Sequence, residues 1–205
     1  MELKIKCLEN KYTQNTYLIE FENSCIIIDA GYSLEKIKTT TYKPIKAILV
    51  THGHFDHVNH IEEIDKLNIP IYVSKHSKEI LEDEAKNAST LFGLSCKFKV
   101  KNLKYIENND EFEIDNHIIK CLETKGHSID SVCYLLYNEI LFSGDTVFAD
   151  SFGRDDLPTG NRKELIKSLK LILNLDYKAL YSGHGRPSVK EEQKTNIPKF
   201  IDYLM

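Results

Sequence analysis

Three histidines and an aspartate lie close together in the segment Thr51-His52-Gly53-His54-Phe55-Asp56-His57. The segment directly follows Ala47-Ile48-Leu49-Val50, an apolar run that predicts a buried strand. Neutral imidazole and carboxylate are ligands that zinc, iron and manganese accept. The spacing lets the loop present its first two histidines on one side and Asp56 with His57 on the other. We therefore predict a metal-binding loop that could serve two ions.

Two metal sites need more ligands than one loop provides, and three more candidates follow later in the chain. His127, Asp145 and His184 each come after a short apolar run, and each has a glycine directly before it. Glycine lets the backbone turn tightly at the end of a strand and direct the next side chain into a shared site. The sequence therefore predicts one site built from four loops at strand ends.

The pattern His-x-His-x-Asp-His at residues 52–57, with these three later residues, resembles the metallo-β-lactamase superfamily. The resemblance implies two groups of metal ligands joined by one bridging carboxylate: His52, His54 and His127 for one ion; Asp56, His57 and His184 for the other; and Asp145 as the bridge. A strand, a ligand loop and a helix recur in both halves of the chain. This order fits an α+β fold, a four-layer αββα sandwich of two mixed sheets with helices on the outer faces.

Shorter motifs resemble the glyoxalase II-like branch of that superfamily. They are Asp29-Ala30-Gly31 and the stretches at residues 144–148 and 153–158. A β-lactamase of the common zinc type would be expected to carry a cysteine in place of Asp145. We expect residues 1–205 to form a single metallo-β-lactamase-like hydrolase domain. Because few residues follow His184, we expect it to lack the glutathione-binding helical extension of full-length type II glyoxalases.

The ligand set predicts a reaction. Two cations that share a carboxylate can share a water and lower its pKa, so that hydroxide exists near neutral pH. We expect this metal-bridging hydroxide to attack a small thioester of the S-lactoylglutathione type, with Asp56 as both a ligand and the group that orients the water. A thiolate leaving group needs little protonation, because thiol pKa values are about 8.5. Zinc is the first choice for the two divalent ions, and iron or manganese would also fit.

Three alternatives stay open at this point. A lactone or ester hydrolase could use the same metals with a different substrate wall. A persulfide dioxygenase would keep a single iron. A metal-stabilised binding module would need no catalysis at all.

Other residues are candidates for supporting roles. Asp29 could accept a hydrogen bond from a ligand histidine, although capping a turn is an equal alternative. Four residues could form the substrate wall: Lys125, Phe148, Phe152 and Arg154. Of these, Lys125 or Arg154 could contact an anionic group, and a solvated lysine is the alternative interpretation of Lys125.

Composition limits the classes of partner. The chain has 205 residues, of which 41% are hydrophobic, and its net charge is −4. Scattered basic residues argue against a nucleic-acid partner, and no apolar run approaches the length of a membrane span. Five cysteines, an odd number spread along the chain, predict reduced thiols and a cytoplasmic location. The expected partner is a small thioester or ester, and the oligomeric state is left open.

Hydrophobic patterns predict the elements that position these residues. A helix should follow the metal loop, with Val58, Ile61, Ile64 and Leu67 on one face. Asn161 and Glu164 predict a capping box at the start of a second helix. Residues 75–92 read as helical with polar breaks. Strands are expected at residues 3–7, 16–21, 25–28, 47–50, 71–73, 112–114, 117–123, 132–137, 140–142 and 179–181.

Overall fold

The computed structural model describes residues 3–205, which form two six-stranded sheets. The first sheet keeps the order of the chain: β1 (Lys4–Glu9), β2 (Asn15–Glu20), β3 (Cys25–Ile28), β4 (Ile45–Leu49), β5 (Ile71–Ser74) and β6 (Leu103–Ile106). The hairpins at its start are antiparallel, and β3 to β6 are parallel.

The second sheet also follows the order of the chain. Its strands are β7 (Glu111–Ile114), β8 (His117–Glu123), β9 (Val132–Leu136), β10 (Ile140–Gly144), β11 (Ala179–Ser182) and β12 (Ser188–Val189). Only β10 and β11 run parallel; the other neighbours are antiparallel. Both sheets are therefore mixed, as predicted.

Helices cover the outer face of each sheet. The first sheet carries α1 (Leu34–Thr40), α2 (Phe55–Val58), α3 (Ile61–Asp65) and α4 (Ser77–Leu81); the second carries α5 (Arg162–Asn174) and α6 (Lys190–Leu204). Along β3, Ile26 and Ile28 face the core between the sheets, whereas Cys25 and Ile27 face the helices. The continuous apolar run of β3 is thus buried on both faces, and the predicted αββα sandwich is confirmed.

The helix predicted after the metal loop is two short helices. Asn59 and His60 separate α2 from α3, because the end of β3 takes the hydrogen-bonding groups that a continuous helix would use. Ala30 N–H donates to the His57 carbonyl at 2.7 Å, and its own carbonyl accepts from His60 N–H at 3.0 Å. This contact fixes the metal loop against the sheet.

The capping box at α5 forms only in part. The Asn161 side chain accepts from Glu164 N–H at 3.1 Å, so the helix begins where predicted. Asn161 N–H, however, donates to the Gly126 carbonyl at 2.7 Å, and the Glu164 carboxylate pairs with Lys167. The start of α5 is therefore tied to the loop that carries His127. Strand β6 and helices α1 and α6 were not predicted from the sequence.

Within residues 3–205, no helix combines the length and the apolar character needed to cross a membrane. All five cysteines are free.

Candidate metal centre

The structure brings all seven predicted ligand residues to one edge of the sandwich. Residues 52–57 follow β4, His127 lies between β8 and β9, Asp145 follows β10, and His184 follows β11. Backbone bonds join these loops. Val132 N–H donates to the Thr51 carbonyl at 2.9 Å and so connects the two sheets, and within the second sheet Gly183 N–H donates to the Gly144 carbonyl at 2.8 Å.

Three histidines form what we call the first cluster: His52, His54 and His127. The Nδ1 atom of His54 lies 3.1 Å from His52 Nε2 and 2.9 Å from His127 Nε2. All three side chains are buried. Three imidazole nitrogens therefore point at one another across a small space, which is the arrangement of three ligands around a metal ion.

The second cluster contains a carboxylate and two histidines: Asp56, His57 and His184. Asp56 Oδ2 lies 3.3 Å from His184 Nε2 and 3.9 Å from His57 Nε2. His57 is fully buried, whereas the side chains of Asp56 and His184 are 16% and 25% exposed. This cluster is therefore open to solvent on one side.

Asp145 lies between the two clusters. One carboxylate oxygen is 3.3 Å from His57 Nε2, and the other is 3.6 Å from His127 Nε2 and 3.4 Å from His184 Nε2. A single carboxylate could thus serve both clusters.

The donor atoms fit a metal ion. His57 Nε2 and Asp145 Oδ1 are buried and lack a hydrogen-bond partner within residues 3–205. The Nδ1 atom of His57 lies 2.7 Å from Asp29 Oδ2, so a neutral His57 would present only a lone pair to Asp145. Buried polar atoms normally have partners, and a cation between these two would supply one.

Burial and charge act differently on the two clusters. Burial lowers the pKa of His52, His54 and His127, and the neighbouring imidazoles add to this effect at His52 and His54. The pKa of His54 falls to about 3. These three rings are therefore neutral and can bind a metal without first losing a proton.

The second cluster shows the opposite shift. Burial would lower the pKa of His57 and His184, but the carboxylate of Asp145 and its acidic neighbours raise both values, that of His184 to about 9. Burial would also raise the pKa of Asp56, but nearby His57 and His184 hold it below its usual value. The second cluster therefore requires positive charge, which protons or a metal ion can provide.

In every candidate ligand histidine except His54, the ring nitrogen that points away from the clusters lies beside an oxygen atom. His127 Nδ1 lies 2.8 Å from the Arg154 carbonyl, and His184 Nδ1 lies 3.0 Å from the Thr13 carbonyl. Asp29, which contacts His57, also accepts from Thr51 N–H at 2.7 Å. Such contacts orient metal-binding histidines. The structure therefore places Asp29 where the sequence suggested.

Buried Asp130 connects the first ligand loop to the loop of His127. Its carboxylate accepts from Gly53 N–H at 2.9 Å and from Ser128 Oγ at 2.5 Å. Burial raises the pKa of Asp130, and the Ser128 hydroxyl partly offsets this. The sequence analysis did not identify Asp130, although its position three residues after a candidate ligand is a usable signal.

Two glycines are required by the geometry. Gly144 has a φ of 49°, a conformation that favours glycine. At Gly183, a Cβ atom would lie 2.1 Å from Asp145 Oδ1 and 2.6 Å from His57 Cε1. The glycines before Asp145 and His184 therefore permit the close approach of the loops.

A cavity of about 830 Å³ opens above the clusters. Phe148, Phe152 and Arg154, three of the residues considered for a substrate wall, line it. Lys125 does not; it pairs with Glu123 at 3.0 Å and lines a separate cavity beside α5. Proximity to His127 in sequence was misleading for Lys125, because the turn at Gly126 separates the two side chains.

Several lining residues were not predicted from the sequence: Lys11, Tyr12, Leu91, Phe92 and Leu157. They lie in loops whose amino-acid composition does not indicate that the loops meet at one cavity. Lys11 and Tyr12 connect β1 to β2, and the side chain of Arg154 is paired with Asp156 at 2.9 Å. Lys11 is therefore the cavity cation without an ion-pair partner in the described residues.

Comparison with known proteins gives a family match over most of the chain. The metallo-beta-lactamase superfamily matches residues 10–184. The probable metallo-hydrolase YqgX of Bacillus subtilis (strain 168) is 34% identical over 192 residues, which are 89% of this chain and 90% of that protein. The hydroxyacylglutathione hydrolase GloC of Haemophilus influenzae is 25% identical over 197 residues, 91% of this chain and 92% of that protein.

Solved structures show the same fold. BLEG-1, described as a B3 metallo-beta-lactamase, superposes with a TM-score of 0.87 at 29% identity and covers 96% of this chain and 99% of its own. TTHA1623 in a di-iron-bound form has a TM-score of 0.79 at 28% identity, with the same coverage.

Proposed function

The chain belongs to the metallo-β-lactamase superfamily, and on that premise we propose that it is a dinuclear metallohydrolase that cleaves a small acyl thioester. One observation carries the proposal: seven ligand-type side chains converge in two clusters with Asp145 between them, at the floor of a cavity. His52, His54 and His127 would hold one ion and Asp56, His57 and His184 the other, with Asp145 shared.

Two bound divalent ions would polarise the acyl oxygen and lower the pKa of water. The residues of the chain orient the reaction. Asp56 borders the cavity and remains partly exposed, so we assign it the second role of accepting a hydrogen bond from the attacking water. The nucleophile in this proposal is water, because the two proposed ions would lower its pKa where the ligands meet the cavity.

A thioester fits this site because its leaving group needs little help. Thiols have pKa values of about 8.5, so the thiolate can depart near neutral pH without a general acid. The similarity to GloC, which is named a hydroxyacylglutathione hydrolase, supports a thioester of that general type.

A β-lactam is the second candidate substrate. The structural similarity to BLEG-1 favours it, because that protein is described as a B3 metallo-beta-lactamase. The same two clusters would serve either reaction, and the leaving amide nitrogen of a β-lactam would need a proton that a thiolate does not.

The proposed ions are zinc or iron. Mixed imidazole and carboxylate ligands accept both metals, as well as manganese. TTHA1623, which is 28% identical, holds two irons, and this supports iron as strongly as ligand chemistry supports zinc.

The test is a substrate panel with protein loaded with zinc, iron or manganese. We expect acyl thioesters to be hydrolysed with a higher kcat/KM than lactones or β-lactams, and metal-free protein to be inactive. Faster cleavage of β-lactams or lactones would reject the thioester assignment. Oxygen consumption with a persulfide, without any hydrolysis, would reject the hydrolase and identify a dioxygenase.

A further inference from the structure

The cavity has two apolar walls that the proposed hydrolysis does not require. One wall is formed by Tyr12, Leu91 and Phe92, and we call it the near wall. Phe148, Phe152 and Leu157 form a second apolar part of the lining, which we call the far wall. Residues of both clusters line the same cavity.

Two large apolar side chains of the near wall are exposed to solvent. Leu91 is 58% exposed and Phe92 is 61% exposed. Single exposed apolar residues are ordinary, but neighbouring ones at a cavity mark a binding surface. The ring of Phe92 lies 4.9 Å from that of Phe55, which is between His54 and Asp56 in the chain. The near wall therefore contacts the ligand loop.

A rigid turn presents these side chains. Residues Ser89–Phe92 form one turn of 3₁₀ helix, preceded by Ala88 in a left-handed conformation with a φ of 64°. Buried Asn87 donates to the Cys96 carbonyl at 2.8 Å and accepts from Ser89 N–H at 3.0 Å. A strained backbone persists where surrounding contacts fix it. The exposure of Leu91 and Phe92 is thus built into the fold.

The same turn is joined to the metal loop. Phe55 N–H donates to the Asn87 carbonyl at 2.9 Å, so the near wall and the candidate ligands keep a fixed relation. In the far wall, Phe148 packs against the ring of His184 with centroids 6.0 Å apart, and the ring of Phe152 lies 5.5 Å from that of Phe200. Both walls are therefore preorganised.

We infer that the near wall binds an apolar acyl group, so that the substrate class is a thioester of an alkyl or aryl acid. This inference rests on the proposed function for its chemistry, although the binding surface exists without it. Carrier thiols are polar and extend toward solvent, where Lys11 and Arg154 border the cavity. The acyl group is then the part that lies against Leu91 and Phe92. A small polar lactoyl group would leave this wall in water.

Two measurements test the inference on metal-loaded protein. The first is kcat/KM for acetyl, butyryl and octanoyl thioesters of one small thiol; full burial of a methylene would raise it about fourfold and partial burial about twofold. The second is calorimetric binding of uncleavable S-methyl, S-butyl and S-octyl thioethers of the same thiol. We expect affinity to rise with chain length and the heat-capacity change to become more negative.

Variants locate the effect. Phe92→Ser and Leu91→Ser should each reduce the dependence on chain length in both measurements. Tyr105→Ser, a change at an exposed residue on β6, is the matched control and should retain the full dependence. Melting temperatures check that each variant folds. If Phe92→Ser does not fold, Leu91→Ser, which removes less packing, provides the test.

The outcomes separate this inference from the proposed function. Affinity and kcat/KM that do not change with chain length, or a dependence that survives in both wall variants, would overturn the apolar wall. Chain-length-dependent thioether binding without hydrolysis of any thioester would reject the proposed reaction and leave the wall standing.

Discussion

The first cluster is made of imidazoles alone and its side chains are buried, whereas the second contains a carboxylate and two of its side chains are partly exposed. Burial lowers the pKa of His54 to about 3, while carboxylates overcome burial and raise that of His184 to about 9. One edge of the sandwich can therefore carry two sites that differ in charge and in exposure. A neutral, buried site suits permanent binding of an ion, and a charged, partly exposed site suits contact with water and substrate.

Asp145 has carboxylate oxygens beside histidines of both clusters and could be a ligand in each, so it should be the most damaging position to change. Asp145→Ala removes a ligand from each proposed ion and takes away the carboxylate that faces Nε2 of buried His57 at 3.3 Å. We expect metal content to fall below one ion per chain and kcat/KM to fall by at least about 10² to 10³, because Lewis-acid stabilisation amounts to several kcal/mol.

Metal analysis after dialysis, together with thioester kinetics, measures both effects. Asp202→Ala, at an exposed position near the end of α6, is the control and should keep full metal content. An Asp145→Ala protein that still binds two ions would show that the clusters do not share this carboxylate.

Removing a residue from one cluster alone tests whether the two clusters bind their ions independently. Asp56→Ala opens the second cluster but leaves His52, His54 and His127 unchanged, so one tightly held ion should remain. Hydrolysis should still be lost almost completely, because Asp56 also orients the water in our proposal. Loss of both ions would mean that the first cluster does not bind metal independently.

A smaller effect is expected outside the clusters. Asp29→Asn keeps an acceptor for Thr51 N–H, but its amide can donate to His57 Nδ1 and so favour the wrong tautomer. We expect roughly 10- to 100-fold weaker metal binding at the second cluster.

Metal titration should show an unchanged first phase and a weakened second phase. Thr51 Oγ1 lies 3.1 Å from His52 Nδ1 and also donates to Asp29 Oδ2 at 2.9 Å, so Thr51→Val is the comparison variant that should weaken both phases. Equal weakening of both phases in Asp29→Asn would remove the distinction between the clusters.

The sequence predicted the site best where residues that can bind metal are close together in the chain or follow glycines at strand ends. The ligand loop is contiguous, and His127, Asp145 and His184 follow glycines at strand ends, so their meeting could be predicted together with the fold. Asp29 could be proposed because its turn ends a buried strand. These positions are set by the local backbone, which short-range patterns describe.

The cavity walls could not be predicted in this way. Leu91 and Phe92 belong to a turn whose conformation depends on buried Asn87 and on contacts with Phe55. No hydrophobic periodicity in the sequence indicates these contacts. Helix α6 has a polar first turn and contains Pro198, which obscures its helical pattern although Ile197 and Ile201 are buried. Tertiary contacts fixed these segments, and a single sequence does not display them.

The smallest expected effect concerns charge at the cavity mouth, where the open second cluster would meet an anionic substrate. Lys11 has no ion-pair partner in the described residues, whereas Arg154 pairs with Asp156 and Lys125 lies in another cavity. Lys11→Ala should therefore raise KM for a carboxylate-bearing thioester by at most about fivefold, as expected for an exposed charge pair, with kcat unchanged.

Added salt should erase the difference, because exposed charges are screened over about 10 Å at 0.1 M ionic strength. Arg154→Ala should have a weaker effect and Lys125→Ala none, and a neutral thioester should not respond to any of the three variants. An equal rise in KM for neutral and anionic substrates in Lys11→Ala would indicate a loss of packing on Tyr12, whose ring the ammonium group overlies at 4.9 Å, and would reject anion recognition at the open side of the site.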